Sequence, residues 1–231
     1  MPPDYQVFPV TQGNLRGILI GMKRRHIITL SGKPGSGKSS TADRVAEMLG
    51  YSRYSTGDIV RTMIKKKKMT LTEFNTTAER DPSYDYELDE ELRNMRSQED
   101  VVIDSRLGFY WIPESFKVYL DLDPEVAIAR IYKDSNINAL RGETENNTDG
   151  MDAVIDQVNG RLNNERRRFK KLYNVNPYAT ANFDLIIDTS RHSPQTVALT
   201  TFDMYNKWLT SSGWKQVISR VPLGYSFKNN Y

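Results

Sequence analysis

The stretch ITLSGKPGSGKSSTADRVAEML, Ile28 to Leu49, decides how the rest of the chain is read. Its first residues are apolar and β-branched and end in glycine, as a buried strand feeding a tight loop does. Its last residues place Val45, Ala46, Met48 and Leu49 at helical spacing, with Gly50 as a stop signal. Between them, Gly32-Lys33-Pro34-Gly35-Ser36-Gly37-Lys38-Ser39 satisfies G-x-x-x-x-G-K-[ST] at every fixed position. A triphosphate is a dense anion, and a loop that wraps it must offer backbone N–H groups with no side chains in the way. Glycines 32, 35 and 37 permit that approach, and the following helix aims its positive end at the phosphates. Lys38 is expected on the β- and γ-phosphates of ATP, and the Ser39 hydroxyl on Mg²⁺.

Outward from the loop, apolar strands alternate with helices. Tyr51–Ser55, VVIDS (101–105), FKVYLDL (116–122) and FDLIIDTS (183–190) read as further strands. Helices are expected from Asp58 through the lysine run at 65–68, from the capping box Thr70-Leu71-Thr72-Glu73, and over 81–98 with Pro82 in the first turn. Others are expected over 123–134, from about Asp152 to Tyr173, and from Ser193-Pro194 onward. Alternation of this kind implies parallel strands covered on both faces, hence a three-layer α/β domain of about five strands. Its ligand belongs outside the carboxyl ends of those strands. Residues 1–22 and the tail after Ser211 show no periodicity and read as extensions of a 23–211 core. The polar run 136–150 reads as a mobile connection.

Bulk composition narrows the function. The chain has 231 residues, 38% hydrophobic and 26% charged, and no cysteine, which removes disulfides, thiolate metal sites and cysteine nucleophiles together. A net charge of +3 is too mild to imply nucleic-acid binding. The early run GILIG (17–21) is too short for a membrane span or an export signal, so a cytoplasmic monomer is the expectation. A switch GTPase needs an [NT]-K-x-D segment, and none is present.

A small-molecule kinase needs a second anion pocket facing the loop, and arginine suits it because its planar fork grips phosphate at two points. YSTGDIVR (54–61) sets Arg61 one turn into a helix, and DSRLG (104–108) sets Arg106 just past a strand, both near the same sheet edge. Asp104, at the end of VVID, is placed for the metal side of the site. Arg161, Glu165 and Arg168 fall at i, i+4 and i+7 on one helix stripe, where Glu165 is in reach of both arginines. An exposed salt-bridge ladder would give the same spacing. Asp58, Asp81, Asp85 and Asp89 are acids available to read a base amino group. His26 and His192 have no metal-spaced partner.

The segments ITLSGKPGSGKSS, STGDIVR, TLTEFNTTAERDPSYDYELDEE, VVIDSRLG, VYLDLDPEVAIARI, RRRFKKLYNVN and FDLIIDTSRHSPQTV together resemble the nucleoside-monophosphate kinases. The similarity is greatest to cytidylate kinases of the archaeal type and covers roughly Arg25 to Asn206. It implies a P-loop fold with a helical monophosphate-binding insert (57–100) and a helical lid (136–175), and Mg²⁺-dependent transfer of the ATP γ-phosphoryl to CMP or dCMP. It matches Gly32 through Ser40 to the ATP loop, and Thr56, Arg61 and Arg106 to positions holding the monophosphate. Arg161, Glu165 and Arg168 match the lid stripe, Arg130 an arginine facing ATP, and Thr189–Pro194, with Arg191, the segment beside the adenine. The connection at 136–150 is longer and more polar than in such kinases, and the two extensions have no counterpart there.

Overall fold

The computed structural model describes residues 24–137 and 151–219. Expectations for residues 1–22, most of the 136–150 connection and the end of the tail therefore lie outside the described residues. Six strands form one parallel sheet: β1 (Ile27–Gly32), β2 (Ser52–Ser55), β3 (Val101–Asp104), β4 (Phe116–Asp121), β5 (Leu185–Asp188) and β6 (Val217–Ser219), in the order β2-β3-β1-β4-β5-β6. The helices are α1 (Lys38–Leu49), α2 (Thr56–Lys67), α3 (Leu71–Arg80), α4 (Ser83–Met95), α5 (Gly108–Trp111), α6 (Pro124–Ile137), α7 (Met151–Tyr173) and α8 (Pro194–Thr210).

Both faces of the sheet are dry at its centre, along β1, β3 and β4, which explains why these strands read as largely apolar runs instead of alternating with polar residues. Ile28, Leu30, Val102, Val118, Leu120 and Leu185 point to the face covered by α1 and α8, where they meet Val45, Ala198 and Trp208. Their sequence neighbours Ile27, Val101, Ile103, Tyr119 and Ile186 point the other way, onto Phe109, Phe169 and Phe183. The helices of the 57–100 region carry a small core of their own, Met63, Ile64, Leu71, Phe74 and Ala78. The capping box at its centre forms as expected: Glu73 N–H donates to Thr70 Oγ1 (3.1 Å) and Thr70 N–H to Glu73 Oε2 (2.7 Å).

The sixth strand corrects the expected five. Val217–Ser219 pair in parallel with Leu185–Ile187, inside a segment set apart as a patternless tail. Three residues are too few to show a period, and what seats them is non-local. Trp214 Nε1 donates to Asp184 O (3.2 Å), and Gln216 Nε2 donates to Thr180 O and Phe183 O (both 2.7 Å). Two boundaries also move: α2 begins at Thr56, and α6 continues through Ile137. Among the described residues no helix is long and apolar enough to cross a membrane.

This topology places the site. From β1 the chain goes by α1 to the β2 edge, returns to β3, then crosses to β4 on the other side of β1. The order reverses at the carboxyl end of β1, where a crevice opens between neighbouring connections. The glycine-rich loop occupies that point.

Candidate active site

The loop is shaped by steric exclusion before any ligand arrives. Gly32 has φ 151°, and a Cβ there would stand 2.3 Å from the carbonyl oxygen of Leu120. Gly35 has φ 78° and lies against α6, with Ala127 O 3.0 Å from where a Cβ would be. At both places only glycine fits the conformation and the space. Lys38 opens α1, is 8% exposed, and folds back so that Nζ donates to Gly32 O (2.9 Å) and Lys33 O (3.0 Å). Burial, with Arg106 adding repulsion, pushes its pKa well below the usual lysine value. Asp104 and Glu165 oppose that shift without outweighing it. The Ser36 hydroxyl is likewise buried in the loop with no hydrogen-bond partner.

Ser39 Oγ donates to Asp104 Oδ2 at 2.8 Å, joining the start of α1 to the end of β3. One hydroxyl beside one carboxylate, facing a phosphate loop, is a donor set that suits Mg²⁺, which keeps several waters and takes its other oxygens from phosphate. Among the described residues no group of three or more His, Cys, Asp or Glu is clustered for a metal. Lys33 turns away from the loop's interior to pair with Asp121 (2.8 Å).

A cleft of about 410 Å³ runs from the loop to the insert. Pro34 through Thr41 line one side, and Thr56, Arg61, Arg106, Arg161, Glu165 and Arg168 line it further along. Residues from separate segments of the chain therefore line one cleft. Arg191 is exposed and does not line the cleft, although His192 does. Arg130 lines it while donating to Thr189 O (2.7 Å), Ser190 O (3.3 Å) and Gly35 O (3.5 Å), so it ties the phosphate loop to the 189–194 segment. Of the four acids considered for base reading, Asp85 and Asp89 line the cleft. Asp58 is paired with Arg53 (2.7 Å) and with Arg61, and Asp81 caps the chain locally by accepting from Ser83 N–H (3.0 Å). His26 lies outside the cleft and meets the Tyr51 hydroxyl at 3.0 Å.

The helix stripe is wired differently from its spacing. Glu165, 3% exposed, accepts from Arg161 Nε (3.0 Å) on its own helix and from Arg106 Nε (2.9 Å) beyond β3. The Tyr178 hydroxyl donates to the same carboxylate. Burial would raise the pKa of Glu165, but Arg106 and Arg161 outweigh it and hold the carboxyl far below the usual range. Arg168 does not reach Glu165. Its Nε lies 2.9 Å from Asp85 Oδ2 on α4, an ion pair not aligned as a hydrogen bond, and its Nη1 donates to Asn164 Oδ1 (3.3 Å). The expectation that Glu165 orients both helix arginines thus holds for Arg161 alone, because a buried carboxylate on the insert draws the Arg168 side chain across.

Asp85 and Asp89 are 3% and 2% exposed, and burial pushes their pKa values up to about 7 and about 6. Asp89 accepts from Trp111 Nε1 (2.7 Å) and from the Tyr173 hydroxyl. Sequence reasoning missed Tyr178, Asn164 and the pairing of Asp85 with Arg168. Tyr178 lies within the run NPYATANFD, but nothing local marks it as a donor to Glu165.

A phosphate loop at the switch point of a parallel sheet, facing arginines carried by α2, by the turn after β3 and by α7, defines a P-loop kinase of the nucleoside-monophosphate class. The profile described as "Cytidylate kinase-like family" matches residues 27–191. The chain belongs to that family. It is 35% identical to a protein named cytidylate kinase from Halobacterium salinarum, over 74% of this chain and 84% of the relative. It is 32% identical to another of that name from Methanocella arvoryzae, over 76% and 94%. A protein named S-adenosylmethionine-dependent nucleotide dehydratase, from Lacinutrix mariniflava, is 33% identical over 84% of this chain but only 37% of its own length. Among solved structures, shikimate kinase from Acinetobacter baumannii in complex with shikimate superposes with TM-score 0.52 at 14% identity, covering 81% of this chain and 96% of that one. At that identity the likeness concerns the fold.

Proposed function

We propose that the protein transfers the γ-phosphoryl of ATP to CMP, and to dCMP, giving ADP and CDP. The observation that carries the reading is a single cleft with a phosphate loop at one end and three buried or half-buried arginines, Arg106, Arg161 and Arg168, toward the other. Two anion-binding ends about one cleft suit two phosphorylated substrates set end to end, and phosphoryl transfer asks the protein mainly for positioning and charge stabilisation.

In this reading the backbone N–H groups of Gly32–Ser40 hold the ATP phosphates, and Lys38 exchanges its two carbonyl acceptors for the β- and γ-oxygens. Ser39 and Asp104 would hold Mg²⁺, which when bound would supply further neutralisation of the triphosphate. Thr56, Arg61 and Arg106 hold the acceptor phosphate on the 57–100 insert side. Arg161 and Arg168, in the 136–175 lid, face the charge that develops in flight. Arg130 serves the ATP side by fixing the loop against the 189–194 segment; Arg191 is left out of this reading, being exposed and outside the cleft. Asp85 and Asp89, the two of the four candidate acids that line the cleft, would exchange present partners to accept from the cytosine amino group. In this reading the protein acts as a cytoplasmic monomer.

A substrate panel tests this: ADP release from ATP with CMP, dCMP, UMP, AMP, GMP and shikimate. Rapid release with CMP and dCMP is expected. Release only with another acceptor would replace the substrate assignment. Turnover with none, accompanied by steeply salt-dependent RNA binding, would overturn the kinase reading.

A further inference from the structure

Arg168 is held by an insert on the far side of the chain, and one of the side chains that does so has no role so far. Asn164 stands one turn before Arg168 on α7 and is 7% exposed. Its Oδ1 accepts from Arg168 Nη1 (3.3 Å), and its Nδ2 donates to Glu79 Oε2 (2.7 Å) on α3. Glu79 is fixed in turn by Arg167, whose Nε donates to Oε1 (3.1 Å) and Nη2 to Oε2 (3.5 Å). With Asp85 of α4 on Arg168 Nε, the guanidinium sits between two helices of the insert: α3 through Asn164, and α4 directly.

The chemistry explains why an amide sits there. Arg168 can only donate and a Glu79 carboxylate can only accept, so a side chain linking the two must do both. Asparagine offers a carbonyl to the arginine and an N–H₂ to the glutamate. Aspartate in its place would set two carboxylates against each other, and alanine would link nothing. A buried amide also costs free energy unless both ends are satisfied, and here both are. A guanidinium gripped only by Asp85 is free to turn about that contact, whereas a second contact on Nη1 fixes the plane of the fork, on which a two-point phosphate grip depends.

We propose that Asn164, seated by Glu79, is a positioning residue that fixes the plane of Arg168 and so couples the insert to the arginine facing the transferring phosphoryl group. This rests on the kinase reading above. The coupling makes the insert that takes the acceptor phosphate the same body that aims Arg168, so acceptor binding and arginine placement are joined through side chains.

The test combines steady-state kinetics with a measurement that needs no turnover. Asn164→Ala is expected to lower kcat about tenfold with the KM for ATP unchanged, a size typical of coupling between residues in one network. Alanine is the better helix former, so α7 itself is not weakened. Added to Arg168→Ala, the same change is expected to cost nothing further; a purely structural role would add its cost in both backgrounds. Glu79→Gln keeps an acceptor for Asn164 Nδ2 and should retain most of the activity that Glu79→Ala loses. In spectra of ¹⁵N-arginine-labelled protein, the Arg168 Nε–H, identified as the resonance absent from Arg168→Lys, should exchange with solvent markedly faster in Asn164→Ala than in wild type. If wild type phosphorylates no monophosphate, the kinase reading fails, and the exchange measurement still decides whether Asn164 fixes Arg168. An unchanged exchange rate, or full additivity with Arg168→Ala in an active enzyme, would overturn the proposal.

Discussion

The phosphate loop and the helix α7 bring cations to one cleft by opposite means. Lys38 is held by the backbone: two carbonyls of its own loop, a glycine conformation that no other residue fits, and a strand buried on both faces. Arg161 and Arg168 are held by carboxylates: Arg161 by Glu165, which it shares with Arg106, and Arg168 by Asp85 on the insert. The loop is built once, when the sheet forms. The α7 arginines are placed by ion pairs, with whose acidic partners a substrate phosphate would compete in the proposed reading. The loop's backbone donors need no rearrangement at the moment of transfer and Lys38 would give up only neutral carbonyls, whereas an arginine of α7 would trade a carboxylate for a substrate oxygen. The cost of that arrangement is a buried charge on each side, weak as a source of stability.

The sharpest way to break this comparison is to remove the exchanged arginine. Arg168→Ala is expected to depress kcat by roughly 10²- to 10⁴-fold, the range in which arginines that clamp a transferring phosphoryl group act. Arg168→Lys should recover little, because a point charge does not reproduce a fork. Wild-type kcat in the alanine variant would mean that Asp85 keeps Arg168 throughout the cycle and that the pair is structural.

Lys38→Ala follows. It leaves the charge on the β- and γ-phosphates uncompensated, and a loss on the order of 10²-fold in kcat/KM is expected. Because the loop is shaped by glycines and not by this side chain, circular dichroism and melting temperature should stay close to wild type. A variant that lost its fold would show that the lysine-to-carbonyl bonds, not the glycines, build the loop.

Arg61 lies between the two regions in kind, half-buried and paired with Asp58 on its own helix. In the proposed reading it holds the acceptor phosphate, which is present in ground and transition states alike, so Arg61→Ala should raise the KM for CMP about tenfold while kcat and the KM for ATP change little. A fall in kcat with CMP dependence unaltered would move Arg61 to the group that acts on the transferring phosphoryl.

The same division explains what the sequence made legible. The loop is local: consecutive residues from Gly32 to Ser39, between a strand and a helix, specify its backbone, and the structure follows them. Four of the strands, β1, β3, β4 and β5, were legible because a sheet buried on both faces leaves largely apolar runs. The stripe Arg161–Glu165–Arg168 was legible as a stripe, since helical geometry puts the three on one face. Its wiring was not, because the deciding partners are remote in sequence: Arg106 is 59 residues from Glu165 and Glu79 is 85 from Asn164. Nothing in the spacing of α7 says that Arg168 crosses to α4 while Arg161 stays. The sixth strand escaped for a related reason, being held by Trp214 and Gln216 against backbone carbonyls of another segment.

The smallest expected effect tests the acid side of the comparison, through stability instead of rate. Asp85 has its pKa raised to about 7, first by burial and further by Asp89 and Glu165, against the attraction of Arg168. The groups facing it are thus Arg168, Asp89 and Glu165, with Asn164 on the other side of the Arg168 fork. In the unfolded chain the same carboxyl titrates near its ordinary value of 3.8. Below that value both states are protonated and the group contributes no pH dependence. As pH rises from there toward about 7, the unfolded chain releases a proton that the folded protein retains, so stability falls across that window and levels off above it. Asp89, raised to about 6, adds to the same slope. An amide at this position carries no titrating charge, so Asp85→Asn removes part of the slope even though Arg168 loses its partner. The melting-temperature difference, variant minus wild type, should therefore move in the variant's favour between about pH 5 and about pH 8. A shift of several degrees is expected, since about 1 kcal/mol moves the midpoint by roughly 2–4 °C in a chain of this size. A difference that is constant with pH, or that moves against the variant, would show that Arg168 keeps Asp85 ionised throughout the range, and the pair would then be a fixed salt bridge like those of the surface.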